Sequence, residues 1–276
     1  MEEAWFAELD EDPASATRAI RSGRAQKPRD WPALAVESGF APDKSGYYES
    51  LHEATVAAAR EAVSEREQAD DQQLVHAVRA MDDLTEVKNE LAERAAEWAG
   101  SQFSESREGL DYVLEVAARE PDGPVEAEVV AFAESVRDLE QRRQALRSFV
   151  ETLAPAVAPN LSNLAEPFLA ARLIALAGGL ETLAKKPSGT VQVLGAEDAL
   201  FAHLEGHAPS PKHGIIFTHE YVRGTRPEKR GSAARALAGK LSIAARIDHY
   251  RGELHPELKA DLEERIATVR AGGAEQ

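Results

Sequence analysis

After the turn Pro121-Asp-Gly-Pro124, apolar side chains recur on a 4-3-4-3 spacing at Val125, Val129, Phe132, Val136, Leu139, Leu146, Val150 and Leu153, broken only by Arg143. That is about four heptads, enough to require a partner helix along the whole seam. The turn has a mechanism, since proline fixes φ and glycine supplies positive φ. A helix ending near Ala118 and returning from Val125 makes an antiparallel hairpin. The alternative under the same periodicity is one amphipathic helix lying on a core.

The ascending side is alanine-rich from about Ser50 to Phe103, and within Asp82–Trp98 the residues Leu84, Val87, Leu91 and Trp98 fall on one helical face. Residues 1 to about 50 are broken by Pro13, Pro28, Pro32 and Pro42, with Trp5, Phe6, Trp31 and Phe40 as scattered anchors. They predict a short irregular domain in which strands are left open. Beyond the seam, Pro155 and Pro159 end the helix. Leu169, Leu173, Leu176, Leu180 and Leu183 form a stripe that Gly178-Gly179 interrupts, a place suited to close helix approach. Pro187 stops that stripe. Ser232, a good N-cap type, opens a helix to Tyr250, and Glu257–Val269 adds a last amphipathic piece before an Ala-Gly-Gly-Ala tail. The expected class is mainly α. It divides into an N-terminal domain over 1–80 (possibly α+β), a helical coiled-coil hairpin over 81–155, an all-helical domain over 156–270 and a flexible tail over 271–276.

No run approaches the roughly eighteen apolar residues of a membrane span, and the Met-Glu-Glu start lacks a basic signal segment, so no membrane role and a cytoplasmic location are expected. The absence of cysteine excludes disulfides and thiolate metal sites. The net charge of −16 is unevenly spread. Met1–Ala171 carries 17 basic and 35 acidic side chains, Arg172–Arg251 carries 12 basic and 7 acidic, and Gly252–Gln276 carries 3 and 6. The single basic segment is the footprint expected of a phosphate-binding face in an acidic chain.

The most specific strings run from Ala158 through that basic segment. In order they are Ala158-Pro-Asn-Leu-Ser-Asn-Leu, Ala171-Arg-Leu-Ile-Ala-Leu-Ala-Gly-Gly-Leu180 and Val191-Gln-Val-Leu-Gly-Ala-Glu197. Then come Pro211-Lys-His-Gly-Ile-Ile-Phe217, Arg230-Gly-Ser-Ala-Ala-Arg-Ala-Leu-Ala-Gly-Lys240 and Ile243-Ala-Ala-Arg-Ile-Asp248. In order and spacing this resembles the Nop domain, the RNA–protein recognition module of box C/D guide ribonucleoproteins and of a related spliceosomal protein. The resemblance covers roughly 82–270. The chain looks like the archaeal scaffold subunit. Its acidic surface, and its 23 arginines against 9 lysines, resemble proteins of salt-loving archaea.

The resemblance implies a role for each string. Gly195, Ala196 and Glu197 correspond to the junction between RNA and the kink-turn-binding partner protein, although Asp198 stands where relatives commonly carry a base. Lys212 matches a residue reaching into the RNA kink, and His213 suits stacking or hydrogen bonding. Arg226, Lys229, Arg230, Arg235 and Lys240 supply cations ahead of and along one helix, with Arg230-Gly231-Ser232 at its N-terminus. As bare strings each also fits an ordinary surface loop or solvated face. The family fold further implies a coiled coil joining two copies, here through Val129, Phe132, Val136, Leu139, Leu146 and Val150. The implied partners are box C/D guide RNA, a kink-turn-binding ribosomal-type protein and fibrillarin, the methyltransferase, which the N-terminal domain holds. That domain is shortened here. The implied function is to scaffold 2′-O-methylation of ribosomal or transfer RNA, with a splicing-type Nop adaptor as the alternative. His203 and His207 share a helical face, but no third ligand is evident, so no metal is assigned. Neither a nucleophile elbow, a P-loop nor a dinucleotide fingerprint occurs, so no cofactor and no catalysis are expected of the chain itself.

Overall fold

The computed structural model describes residues 4–7, 9, 14–23, 25, 27–103 and 107–272, and every element assigned among them is helical. Contacts divide the chain into two compact units, Met1–Ala69 and Asp70–Gln276. No helix among the described residues is long and apolar enough to cross a membrane.

The first unit contains α1 (Ala14–Ser22), α2 (Trp31–Glu37) and α3 (Lys44–Gln68). The strands left open by the sequence are absent among its described residues. One of the prolines that make this stretch look irregular, Pro32, starts a helix instead. Pro32 lies in the first turn of α2, where its missing N–H costs nothing, and Asp30 caps that turn through the N–H of Ala33 at 3.2 Å. Asp43 caps α3 through the N–H of Gly46 at 2.8 Å. The scattered aromatics converge: Phe6 stacks on Phe40 at 4.9 Å, and Trp5 meets both edge-on. Together with buried Ala35, Ala41 and Tyr47 they form a small core. Arg21 grips Glu65 through two hydrogen bonds, tying α1 to α3.

The second unit begins with the hairpin. Its ascending arm is α4 (Asp70–Gln102) followed by α5 (Leu110–Val116), and its descending arm is α6 (Pro124–Val157). Gly123 enters α6 at φ 112°, and Pro124 occupies the first helical position. Pro155 does not end α6 but lies in its last turn. The face of α4 that packs is not the expected one. Val87 and Trp98 stay exposed and Leu84 is half-buried, while Ala92, Ala95, Ala96 and Ala99 are buried against Val129, Ala133 and Val136. Alanine lets two helix axes approach closely, so the tighter face wins over the bulkier one.

Within the single chain, the seam packs first on the chain's own ascending arm. Val129 and Val136 are 1% and 0% exposed inside the chain's own hairpin, and Val150 is buried in the core at the hairpin base. Phe132, Leu139 and Leu146 are half-buried beside them. One layer of the seam is polar. Lys88 and Glu140 are buried and paired at 3.1 Å, and Glu140 also accepts from Arg143 at 2.7 Å and from Gln144 at 2.8 Å.

At the hairpin base, Leu74, Val75, Val78, Val150 and Ala154 merge into the core of the helical domain. That domain contains α7 (Pro159–Ala165), α8 (Pro167–Ala177), α9 (Leu180–Lys185), α10 (Ser188–Val193), α11 (Glu197–Leu204), a 3-10 turn (Ile215–Thr218), α12 (Glu220–Arg223), α13 (Arg230–Tyr250) and α14 (Glu257–Arg270). The axis of the domain is α13, whose Ala233, Ala234, Leu237, Ala238, Leu241, Ala244 and Ala245 are fully buried among α7, α9, α10 and α14. It opens two residues ahead of the expected Ser232. Gly178 serves a different purpose from the one expected. A side chain there would meet nothing within 4 Å, but its φ of 84° ends α8 in a left-handed cap. Ala271 and Gly272 continue as a hydrogen-bonded turn after α14. The rest of the predicted tail, 273–276, lies outside the described residues.

Two of the sequence strings meet deep in the domain, 88 residues apart. The Asp248 carboxylate accepts from the backbone N–H of Asn160 (3.0 Å), its side-chain amide (2.7 Å) and the N–H of Leu161 (2.8 Å). The Asn160 side chain also donates to the Glu253 carbonyl and accepts from the N–H of His255. Ala158 gives α7 no side-chain cap of its own, so Asp248 acts as a remote one.

Candidate nucleic-acid interface

The Gly195 turn between α10 and α11 is built by close approach. Its φ is 81°, and an added Cβ would lie 3.2 Å from the Ile215 side chain and 3.3 Å from that of Leu176. Glu197 closes the turn by accepting the Gly195 N–H at 2.9 Å, which makes it a positioning residue. Ala196 is the half-buried N-cap of α11. Gly214 lies flat against the same turn: a Cβ there would run into the Leu194 carbonyl. Its N–H donates to Gln192 O and that of Ile215 to Leu194 O, both at 2.8 Å. These contacts seat the Pro211–Gly214 loop on the turn.

His213 therefore lands on Phe217, ring over ring at 4.6 Å and 19°. Burial first, with Arg230 and Lys212 adding to it, lowers the His213 pKa below the usual histidine range, so the ring is neutral at pH 7. Arg230 covers the same Phe217 at 5.3 Å and donates from Nε to the Thr225 carbonyl at 3.0 Å. Lys212 is exposed, its carbonyl held by Gln192 at 2.7 Å, and its stem lies over Gly231, 3.9 Å from where a Cβ would sit. Lys212, His213 and Arg230 are thus brought together with the Gly195 turn. Their chemistry is an exposed ammonium, an aromatic face and a guanidinium beside the first turn of α13.

The remaining cations divide. Lys229 is the half-buried N-cap residue of α13. Arg226 turns to the end of α14, donating to Arg270 O at 3.5 Å. Lys240 pairs with Asp261 at 2.8 Å, so much of its charge is answered within the chain. Arg235 lies exposed farther along α13. The histidines go separate ways: His203 to the Ala208 carbonyl, His207 to Glu205 and His219 to the N–H of Tyr221. Sequence reasoning missed Phe217 as the ring beneath His213 and Arg230, having read it only as the end of the Pro211–Phe217 string. It also passed over Phe201 and Leu204, which follow the turn on α11 and are 63% and 71% exposed. An apolar pair on a helix with no buried residue was the available signal.

Fold and face define a class: an all-helical domain carried on an antiparallel hairpin, with aromatic and cationic groups gathered around one glycine turn. The chain belongs to the Nop family, whose model, described as snoRNA binding domain, fibrillarin, matches residues 119–268. It is 34% identical to an uncharacterized NOP5 family protein of Methanocaldococcus jannaschii, over 86% of this chain and 66% of that protein. It is 32% identical to nucleolar protein 58 of Aspergillus clavatus, over 72% of this chain and 42% of that protein. Human nucleolar protein 56 is 38% identical over 52% of this chain and 25% of its own length. The chain thus spans about two thirds of the archaeal relative and less than half of these two nucleolar ones. In structure it is similar to a chain of a fibrillarin/Nop5p complex, with a TM-score of 0.56 and 25% identity, covering 97% of this chain and 99% of that one.

Proposed function

We propose that this chain is a scaffold subunit of a box C/D guide ribonucleoprotein, acting in the cytoplasm. Its helical domain, over 156–270, grips kink-turn RNA already bound by a ribosomal-type protein. The helical hairpin lies over 81–155, and the N-terminal domain over 1–80 holds fibrillarin. The observation that carries the reading is the seating of Lys212, His213 and Arg230 around the Gly195 turn. Kinked RNA presents splayed bases and crowded phosphates, and this face offers a stacking surface with two cations. Family membership and the likeness to a fibrillarin complex support the same role. The chain itself contributes binding and positioning, and methyl transfer belongs to fibrillarin.

The test is reconstitution with guide RNA, the kink-turn-binding protein, fibrillarin and labelled S-adenosylmethionine. Methylation of the guided nucleotide is expected only when this chain and fibrillarin are both present. Transfer without fibrillarin, or undiminished transfer without this chain, overturns the reading.

A further inference from the structure

A second basic surface begins where the first one ends. On α13, Ser232, Arg235, Gly239 and Lys240 recur at helical spacing and share one stripe. Across from them stand Arg265 and Val269 of α14, enclosing an open groove of about 430 Å³. Its first residue, Ser232, follows Gly231, on which Lys212 rests.

Two features of this groove have no explanation inside the chain. Gly239 lies in a helix interior, where only proline is a poorer helix former. A Cβ there would meet nothing within 4 Å, so no neighbour requires the glycine. It leaves an open notch in the groove floor. Arg235 and Arg265 are exposed and make no hydrogen bond or ion pair among the described residues. The acid at the groove, Asp261, is already paired with Lys240. In a chain of net charge −16, two unanswered guanidinium groups over a glycine notch suit an anionic strand.

We infer that the α13–α14 groove is a second nucleic-acid subsite, taking the phosphodiester backbone of single-stranded RNA that continues from the kinked element held at Lys212 and His213. The inference rests on the proposed function above. Arginine forks match phosphate oxygens, and the notch at Gly239 admits a sugar edge against the apolar Val269 end. A single strand fits better than an acidic peptide because the groove runs on from the Lys212 face without a break in the stripe.

The test uses the full chain and two probes, each prebound by the kink-turn protein: a minimal kink-turn RNA, and the same RNA carrying an oligouridine tail at either end. One tail is expected to tighten wild-type binding by roughly five- to tenfold at low salt. Arg265→Ala and Gly239→Leu should abolish that gain and leave the minimal probe unaffected. Gly239→Leu fills the notch while improving helix propensity, so unchanged or raised thermal stability separates blockage from misfolding. The salt slope on the tailed probe should fall by about 0.7 per lost phosphate contact in Arg265→Ala. No gain from either tail, or equal losses on both probes, overturns the inference while leaving the proposed function standing. A polyglutamate peptide that binds wild type but not Arg265→Ala, with no gain from a tail, gives the groove to an acidic protein segment and also overturns it. Failure of wild type to bind the minimal probe is failure of the proposed function, and the inference falls with it.

Discussion

Replacing Asp248 by alanine tests how far this fold hangs on one carboxylate. Asp248 accepts three hydrogen bonds from Asn160 and Leu161, at 3.0, 2.7 and 2.8 Å. Two of the donors are backbone N–H groups in the first turn of α7, which have no partner within their own helix. Asn160 and Leu161 are 1% and 0% exposed, so water does not take over. Each stranded buried donor costs about 1–3 kcal/mol, giving about 2–6 kcal/mol for the two backbone donors in Asp248→Ala. The Asn160 amide keeps its bond to Glu253 O and adds little. One term works the other way: burial raises the Asp248 pKa, so removing the charge relieves some desolvation and places the loss in the lower half of that range. Asp248→Asn retains one acceptor oxygen and should lose about half as much as the alanine variant. Urea unfolding at pH 7, with unchanged m-values, reads these differences. A loss below about 1 kcal/mol for Asp248→Ala, or equal losses for both variants, refutes the remote-cap account.

The polar layer of the hairpin has a pH signature. Arg143 first, then Gln144 and Lys88, hold the Glu140 pKa at about 2 against an ordinary 4.5. A depressed carboxylate contributes stability that is present above 4.5 and lost as pH falls towards 2, here of the order of 3 kcal/mol at most. The stability advantage of wild type over Glu140→Gln should therefore shrink across that window, and a constant difference contradicts it. Glu140→Leu leaves Lys88 buried without its partner and should cost roughly 3–5 kcal/mol. Lys88→Met should cost less, because Glu140 keeps Arg143; denaturant midpoints give the order. Gly195→Val should lose RNA binding and stability together, since it forces a β-branched residue to φ 81° against Ile215 and Leu176. At molar salt, Ala196→Phe should weaken binding to the preformed RNA–protein complex more than Arg226→Ala, because phosphate attraction is screened while fit is not. The opposite order in a titration at that salt sinks this claim.

The hairpin was legible because valine, phenylalanine and leucine mark a heptad strongly. Its partner face was not, since Ala92, Ala95, Ala96 and Ala99 carry little periodic signal yet permit the closest approach. A seam announces that it needs a partner, and Val129 and Val136 find theirs within the chain's own hairpin. In the N-terminal unit, proline spacing suggested irregular chain, whereas Pro32 and the Asp30 cap mark a helix start. At the candidate interface the sequence singled out strings that the fold brings together at the Gly195 turn but weighed their cations alike. Only three-dimensional placement distinguishes Lys212, exposed over Gly231, from Lys240, answered by Asp261 from another helix. The joining of Asn160 to Asp248 was likewise beyond any local pattern, although both lay in strings already singled out.

The central claim is that RNA is gripped where Lys212, His213 and Arg230 surround the Gly195 turn, and that the other cations of α13 and its flanks are secondary. Its most direct measurement is a binding titration against kink-turn RNA already carrying its ribosomal-type protein, comparing two double variants at one moderate salt concentration. Lys212→Ala with His213→Ala should weaken binding by roughly 30-fold or more, as expected for the loss of a charge-assisted contact and a stacking face. Arg226→Ala with Lys240→Ala removes the same or greater formal charge but groups held by Arg270 and Asp261, and should cost less than about threefold. Equal losses from the two pairs, or a larger loss from the second, would contradict the account.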